Sequence, residues 1–368
     1  MLIYLGLSSH GFGHAARQAA VLSALHRLHP SWRLVISSAL APEVLKRLFH
    51  DLPIEIRALR WDVGMIQADA LSCDPGGTLR ALEALACCLP GQIEQECRWL
   101  REQSSSVVVL GDIPPPMAQL AACLSAPLVW MGNFGWDDIY AEQGPDFQPH
   151  VEQARKAYRS GTLLVRMPFD LAMDWGLPEC RVGLTASPSR PVSDALHRTL
   201  VHPSSPQVLI GFGGLGLPLN RCLFDQWPRH RFLLPCPARR VDADADALAS
   251  IPNVLMLPPD VRPVDVMPYC DRLIGKPGFS TFCEALTAGL GLHVVERSGF
   301  AEAQALSRGL QAHGRHRLLT REAFDKGRWD LDLPLLGSTH PALPVNGADE
   351  AARAIAIVAA TVPGFSID

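Results

Sequence analysis

Apolar residues along this chain fall into short unbroken runs, separated by longer stretches in which they recur every three or four positions. "LIYLGL" (2–7) is one such run. It is followed by the helical pattern "AARQAAVLSALHRLH" (15–29) and then by the strand-like "WRLVISS" (32–38). "VVVLGD" (107–112), "PPPMAQLAACLSA" (114–126) and "PLVWMGN" (127–133) repeat the same strand, helix, strand order. Apolar strands alternating with helices predict parallel sheets covered by helices, an α/β class. The rhythm restarts at "QVLIGFGG" (207–214), with "RFLLPCP" (231–237), "NVLMLPP" (253–259) and "DRLIGKPG" (271–278) as sister strands. The Pro- and Ser-rich "TASPSRPVSDALHRTLVHPSSP" (185–206) precedes the restart and reads as a link between domains. The expected organisation is two Rossmann-like domains, at 1–190 and 207–345, joined by a linker at 191–206. A C-terminal helix at 346–368 would pack back on the first domain, with Asp349 as its candidate cap.

Composition narrows the function classes. The 368 residues, 48% of them hydrophobic, suffice for two cores. A net charge of −4 and the lack of any basic block argue against nucleic acid as a partner. Ten cysteines with no CxxC pair are expected to be reduced thiols in a cytoplasm. The apolar start, Met1–Leu7, is too short for a secretory or membrane-spanning segment and reads as a buried strand, with peripheral membrane contact left open.

Six stretches invite a chemical reading. "SSHGFGHAAR" (8–17) sets His10 and His14 in a glycine-containing turn after the first strand. Two histidines without helical i, i+4 spacing do not make a zinc site, and no metal is expected. "VVVLGD" places Asp112 at the C-terminal end of a buried strand, the edge where ligands of open α/β sheets collect; the plain alternative is a helix cap. "VLIGFGGLG" (208–216) fits G-x-G-x-x-G by spacing, but no acidic residue ends the next strand, so a nicotinamide cofactor is disfavoured against a diphosphate-approaching turn. "GKPGFSTFCEALTAGLG" (275–291) runs from a strand through a turn into a helix, and a helix start with Lys276 beside it favours phosphate. Ser280 and Thr281 serve there either as caps or as phosphate ligands. Glu284, one turn in, is either a first-turn acid or an acceptor for ribose hydroxyls. "VDADADALAS" (241–250) lacks the glycine and glutamate of a calcium loop and reads as a solvated helix start. "NFGWDDIY" (133–140) offers an aromatic face for a sugar, or a packed core segment.

Together, "SSHGFGHAAR", "NFGWDDIY" and "GKPGFSTFCEAL" resemble the GT-B glycosyltransferases, in particular the inverting plant small-molecule glucosyltransferases and the peptidoglycan N-acetylglucosaminyltransferase. They also resemble the glycosyltransferase-like half of plant arabinokinases. The resemblance implies two Rossmann-like domains facing across a cleft, acceptor on the N-terminal side and nucleotide sugar on the C-terminal side. It implies that His14, in its Gly13-His14 context, deprotonates the acceptor and that Asp112 orients it. The donor, with a UDP-sugar expected and no separate cofactor, would be held by Gly13, Gly213, Gly214, Lys276, Gly278, Ser280, Thr281 and Glu284. Glu302 and Gln304 in "GFAEAQAL" (299–306) stand nearest to the family's sugar-gripping Asp-Gln pair. His10, Trp136 and Asp137 are the candidate acceptor contacts. Two departures are visible: Lys276 replaces the signature His, and "LPPD" (257–260) stands where an aromatic would stack on the base. The Glu-x7-Glu pair of retaining relatives is absent, since the position eight before Glu284 is Lys276. The implied activity is an inverting, metal-independent transfer to a hydroxyl. The alternatives are a non-hydrolysing sugar-nucleotide 2-epimerase and a catalytically silent nucleotide-sugar-binding module.

Overall fold

The computed structural model describes residues 1–67, 72–201, 205–212, 219, 221–236, 247–297 and 299–362. The first sheet holds seven parallel strands: β1 (Leu2–Leu7), β2 (Arg33–Ser37), β3 (Ile54–Arg57), β4 (Val107–Asp112), β5 (Leu128–Gly132), β6 (Leu163–Arg166) and β7 (Glu179–Arg181), in the order β3-β2-β1-β4-β5-β6-β7. The second holds six, β8 (Gln207–Gly211), β9 (Arg231–Leu234), β10 (Val254–Met256), β11 (Arg272–Gly275), β12 (Gly291–Val295) and β13 (His316–Leu319), in the order β10-β9-β8-β11-β12-β13. Each apolar run quoted above becomes one of these strands.

The helices of the first lobe are α1 (Phe12–Leu28), α2 (Pro42–Leu48), α3 (Pro75–Gln103), α4 (Met117–Leu124), α5 (Trp136–Ala141) and α6 (Gln148–Tyr158). After them come α7 (Asp194–Val201), α8 (Arg221–Asp225), α9 (Pro263–Val266), α10 (Phe279–Thr287), α11 (Ala301–His313), α12 (Arg321–Asp325) and α13 (Gly347–Ala359). Among the described residues no helix is long and apolar enough to cross a membrane.

Alternation along β1 sorts the core. Ile3, Leu5 and Leu7 face α1, whereas Leu2 and Tyr4 join Trp130, Trp136 and Trp61 on the other side. The first of these clusters continues across the lobe boundary through Phe169, Phe279 and Phe282, so the lobes share apolar surface. The C-terminal helix α13 lies on α1, where Arg27 pairs with Asp349 at 2.8 Å, and Glu350 accepts from Gly183 N at 2.9 Å. Asp349 is therefore not the cap; Asn346 holds that position and Asp349 sits inside the first turn.

One expectation is corrected. Cys97 on α3 and Cys123 on α4 form a disulfide, so the ten cysteines are not all reduced thiols. The two are 26 residues apart and become neighbours only because α3 packs on α4.

Each sheet reverses its strand order at one point, and the crevice above such a point is where α/β folds place ligands. In the first sheet this is the β1/β4 boundary, with Leu7 opposite Asp112. In the second it is β8/β11, with Gly211 opposite Gly275. A Cβ on Gly275 would lie 2.6 Å from the Gly211 carbonyl, so only glycine fits where these strands end together.

Candidate active site

The chain leaves β1 at Leu7, turns through residues 8–11 and enters α1, which carries His14 back over the end of β4. His14 Nδ1 lies 2.8 Å from Asp112 Oδ1; the two side chains are 8% and 0% exposed. Helical spacing then adds Arg17 and Gln18, three and four residues on, from the same face of α1. Arg17 Nε donates to Asp112 Oδ2 at 2.7 Å, Arg17 Nη2 pairs closely with Oδ1, and Gln18 Nε2 donates to Oδ2 at 2.5 Å. Burial alone would raise the Asp112 pKa, but the charge and hydrogen bonds of Arg17, followed by those of His14, outweigh it and hold the pKa at about 2. Burial likewise opposes the Arg17 charge, and Asp112 more than compensates, raising the guanidinium pKa.

This fixes the tautomer. A carboxylate oxygen and a ring nitrogen 2.8 Å apart need a proton between them. Asp112 is ionised, so the proton sits on Nδ1 and the lone pair is on Nε2. Arg17 Nη2 also approaches Nδ1, at 2.9 Å, but a protonated Nδ1 has no lone pair to offer it.

Beside the dyad lies an aromatic box. His10 stacks on Phe300 at 5.5 Å, Trp136 meets His10 edge-on at 5.3 Å, and Phe134 meets His14 edge-on at 5.9 Å. His10 Nδ1 accepts from Met65 N at 3.2 Å, which puts its own proton on Nε2. Burial lowers the His10 pKa, with the charges of His14, Arg297 and Lys276 adding to the effect, so it is a neutral donor and not a second base. Gly64 crosses over it at φ +67°, and a Cβ there would lie 2.6 Å from Nδ1, so glycine is required on both counts. Trp136 is anchored by donating Nε1–H to Asp62 at 2.9 Å. Asp137, expected to contact the acceptor, instead accepts from Trp175 at 3.2 Å and pairs with Arg155 at 3.5 Å, away from His14.

The second lobe presents the start of α10. Its N-cap is Gly278, without a side-chain cap, so neither Ser280 nor Thr281 caps the helix. Ser280 Oγ reaches across the cleft and donates to the Gly13 carbonyl at 2.6 Å, one residue from His14. The imidazole and the helix tip are thus brought together. Glu284 makes no hydrogen bond or ion pair among the described residues, and burial raises its pKa to about 7, Arg262 lowering it and Asp265 raising it. Lys276 acts on His10 through its charge. Gly213 and Gly214 lie outside the described residues, as does most of the 241–250 stretch. The Glu302 carboxylate accepts from Asn133 Nδ2 at 2.9 Å, and Arg17 Nη1 in turn donates to Asn133 Oδ1 at 2.7 Å. Gln304, on the outer face of α11, is exposed.

A cavity of about 420 Å³ sits along the seam between Phe169 and Gly309, and none of the expected site residues lines it. Sequence reading missed Arg17, Gln18, Asp62, Asn133 and Phe300. Only Arg17 and Gln18 left a signal, their i+3 and i+4 spacing from His14. Among the described residues no three His, Cys, Asp or Glu side chains gather into a metal-binding group.

No family model matches the chain. It is 27% identical, over 94% of its length, to L-arabinokinase of Arabidopsis thaliana, and it spans about a third (33%) of that protein. Solved structures share its fold at low identity. Arabidopsis thaliana UGT89C1 complexed with quercetin matches with a TM-score of 0.59 and 13% identity, covering 98% of this chain and 90% of that one. Phytolacca americana UGT2, complexed with UDP-2fluoro-glucose and pterostilbene, gives 0.59 and 13%, covering 96% and 89%. Acinetobacter baumannii MurG gives 0.55 and 16%, covering 99% of both chains. The chain has the GT-B fold of these glycosyltransferases.

Proposed function

We propose that this GT-B chain is an inverting glycosyltransferase that moves a sugar from a nucleotide-diphosphate donor, a UDP-sugar, to an acceptor hydroxyl. The observation that carries the reading is the meeting of the two lobes: Ser280 bonds to the Gly13 carbonyl at 2.6 Å, so an anion held at the tip of α10 lies next to His14. His14 Nε2 has the lone pair a general base needs, and Asp112 stabilises the imidazolium that forms. As the acceptor oxygen bonds to the anomeric carbon, its proton passes to Nε2. The bond from that carbon to the diphosphate breaks on the opposite face, and the electron pair leaves with the phosphate. The first-turn amides of α10, Ser280, Thr281 and the Lys276 charge stabilise the departing anion, so this assignment needs no divalent metal. Glu284 accepts from the ribose hydroxyls. Trp136 and His10 face the acceptor, which enters when the lobes part.

Replacing His14 by Ala is expected to lower turnover roughly 10²-fold or more, the scale of general-base loss, while UDP still raises the melting temperature. Wild-type turnover in that variant refutes the base assignment.

A second reading, a nucleotide-sugar-binding module without turnover, is favoured by the match to one third of a longer kinase and by Glu302 being engaged with Asn133. It predicts UDP-sugar binding with no transfer to a broad acceptor panel. A 2-epimerase would instead convert the donor alone to its epimer.

A further inference from the structure

The group expected beside the diphosphate can be read from one arginine. Arg297 follows β12 as Lys276 follows β11, and these strands are neighbours, with Gly275 opposite Val294. The two cations therefore leave the same sheet edge one strand apart, about 5 Å in the pairing direction. The Arg297 guanidinium lies over the Phe300 ring at 4.2 Å, and the same ring is met by His10, which stacks on it, and by Phe134. Among the described residues its buried Nε has no hydrogen-bond partner, and Nη2 makes a long 4.0 Å approach to Cys73 Sγ.

Several other buried and half-buried arginines have carboxylates, whereas Arg272 faces His293 at 3.0 Å. Arg17 has Asp112, Arg57 has Glu96, Arg166 has Asp170 and Glu179, and Arg262 has Asp265. Among the described residues Arg297 has no carboxylate. A half-buried guanidinium, stacked on an aromatic face and without a carboxylate among the described residues, is arranged for an anion that arrives with a ligand. His10, an Nε2–H donor stacked on the same Phe300 ring, adds a second donor. The charge of Arg297 is felt there, since it helps to lower the His10 pKa.

Resting on the glycosyltransferase reading, we infer that the donor sugar carries a carboxylate and that Arg297 binds it: the substrate class is a nucleotide-diphosphate hexuronate. The diphosphate already has the α10 amides, Lys276, Ser280 and Thr281. Arg297 is one strand further along the edge, where the group attached to the diphosphate extends.

The test is calorimetric titration of the full chain with UDP, UDP-glucose and UDP-glucuronate, for wild type, Arg297→Gln and Arg297→Lys. Wild type is expected to bind the uronate about tenfold or more tighter than the glucose donor. Arg297→Gln is expected to abolish that preference while leaving UDP affinity within about twofold, and Arg297→Lys to restore part of it. Equal wild-type affinity for the two sugars overturns the inference and leaves the parent reading standing. So does an Arg297→Gln variant that loses UDP itself, because the cation then serves the diphosphate. A wild type that binds none of the three overturns the parent reading and this inference with it.

Discussion

Replacing Arg17 by Met removes the cation from a carboxylate that has no access to water. Asp112 is fully buried and Arg17 is 2% exposed. Deleting one partner of such a pair costs about 3–5 kcal/mol, because the remaining charge stays desolvated. The wild-type pKa gives a consistent scale: a fall from 3.8 to about 2 is worth about 2–3 kcal/mol to the ionised, folded state. Over the entropy of unfolding of the whole chain, a 4 kcal/mol loss lowers the melting temperature by about 5 °C, or about twice that if the first lobe melts as its own unit. The loss is also expected to depend on pH. In wild type the depressed pKa supplies stability that is full above pH 4 and lost as pH falls through about 2. In the variant, burial is no longer outweighed, so Asp112 titrates above its ordinary value and penalises the fold only where it must ionise. The deficit is therefore largest at pH 7–8 and shrinks towards pH 4–5. Scanning calorimetry of wild type, Arg17→Met, Asp112→Asn and the double variant at pH 5 and 8 measures this. The double variant has no unpaired charge and should be more stable than Arg17→Met at pH 8. A deficit that is the same at both pH values, or a double variant no better than the single, refutes the argument.

Two further outcomes follow from single groups. Burial raises the Glu284 pKa to about 7, so the free protein carries it half protonated near neutrality, and ribose hydroxyls donate more strongly to the ionised form. UDP affinity should rise between pH 6 and pH 8 by up to about tenfold and become flat in Glu284→Gln; an unchanged wild-type affinity over that range removes Glu284 from the ribose role. Alkylation of the unreduced, denatured chain should count eight thiols, with Cys97 and Cys123 protected, and Cys97→Ser should lose about 3 kcal/mol by the loop-closure scale; ten reactive thiols would contradict the disulfide.

The central strands were legible because parallel sheets bury both faces of their strands, which leaves continuous apolar runs such as 107–112 and 207–211, whereas the shorter, more polar β3, β6 and β7 and the strands β12 and β13 were not read from sequence. His14 and Asp112 were legible because strand ends carry function in this class of fold, and the dyad is found at such an end. Partners set by lobe closure were not legible. Nothing local in residue 133 or 302 indicates that an amide of one lobe will meet a carboxylate of the other, 169 residues away. Asp137 misled for a related reason. Its neighbours Phe134 and Trp136 do face the histidines, but one helical step turns its carboxylate to Trp175 and Arg155. Arg17 could have been found from its i+3 spacing to His14, had a basic residue inside an apolar helix face been treated as a partner in search of a carboxylate.

That arginine also decides how the two halves of the site communicate. Arg17 grips Asp112 with Nε and Nη2 and spends Nη1 on Asn133, and Asn133 passes its own amide hydrogen to Glu302 Oε1. His14 and the second lobe are therefore joined by one buried chain of hydrogen bonds. Glu302 can serve in that chain and still receive a sugar, because Asn133 occupies only Oε1 and Oε2 makes no hydrogen bond among the described residues. A donor hydroxyl on Oε2 would add a bond without breaking the latch, so donor binding favours the closed state by its differential contact with it. An acceptor has no such entry. His14 is 7% exposed and walled by Phe134, Trp136 and His10. Reaching it means parting Ser280 from Gly13 and Asn133 from Glu302, bonds worth about 0.5–3 kcal/mol each, together with apolar surface that the lobes share. On the proposed reading an order of events follows: the acceptor must arrive while the lobes are apart, and the nucleotide sugar then draws them together over it.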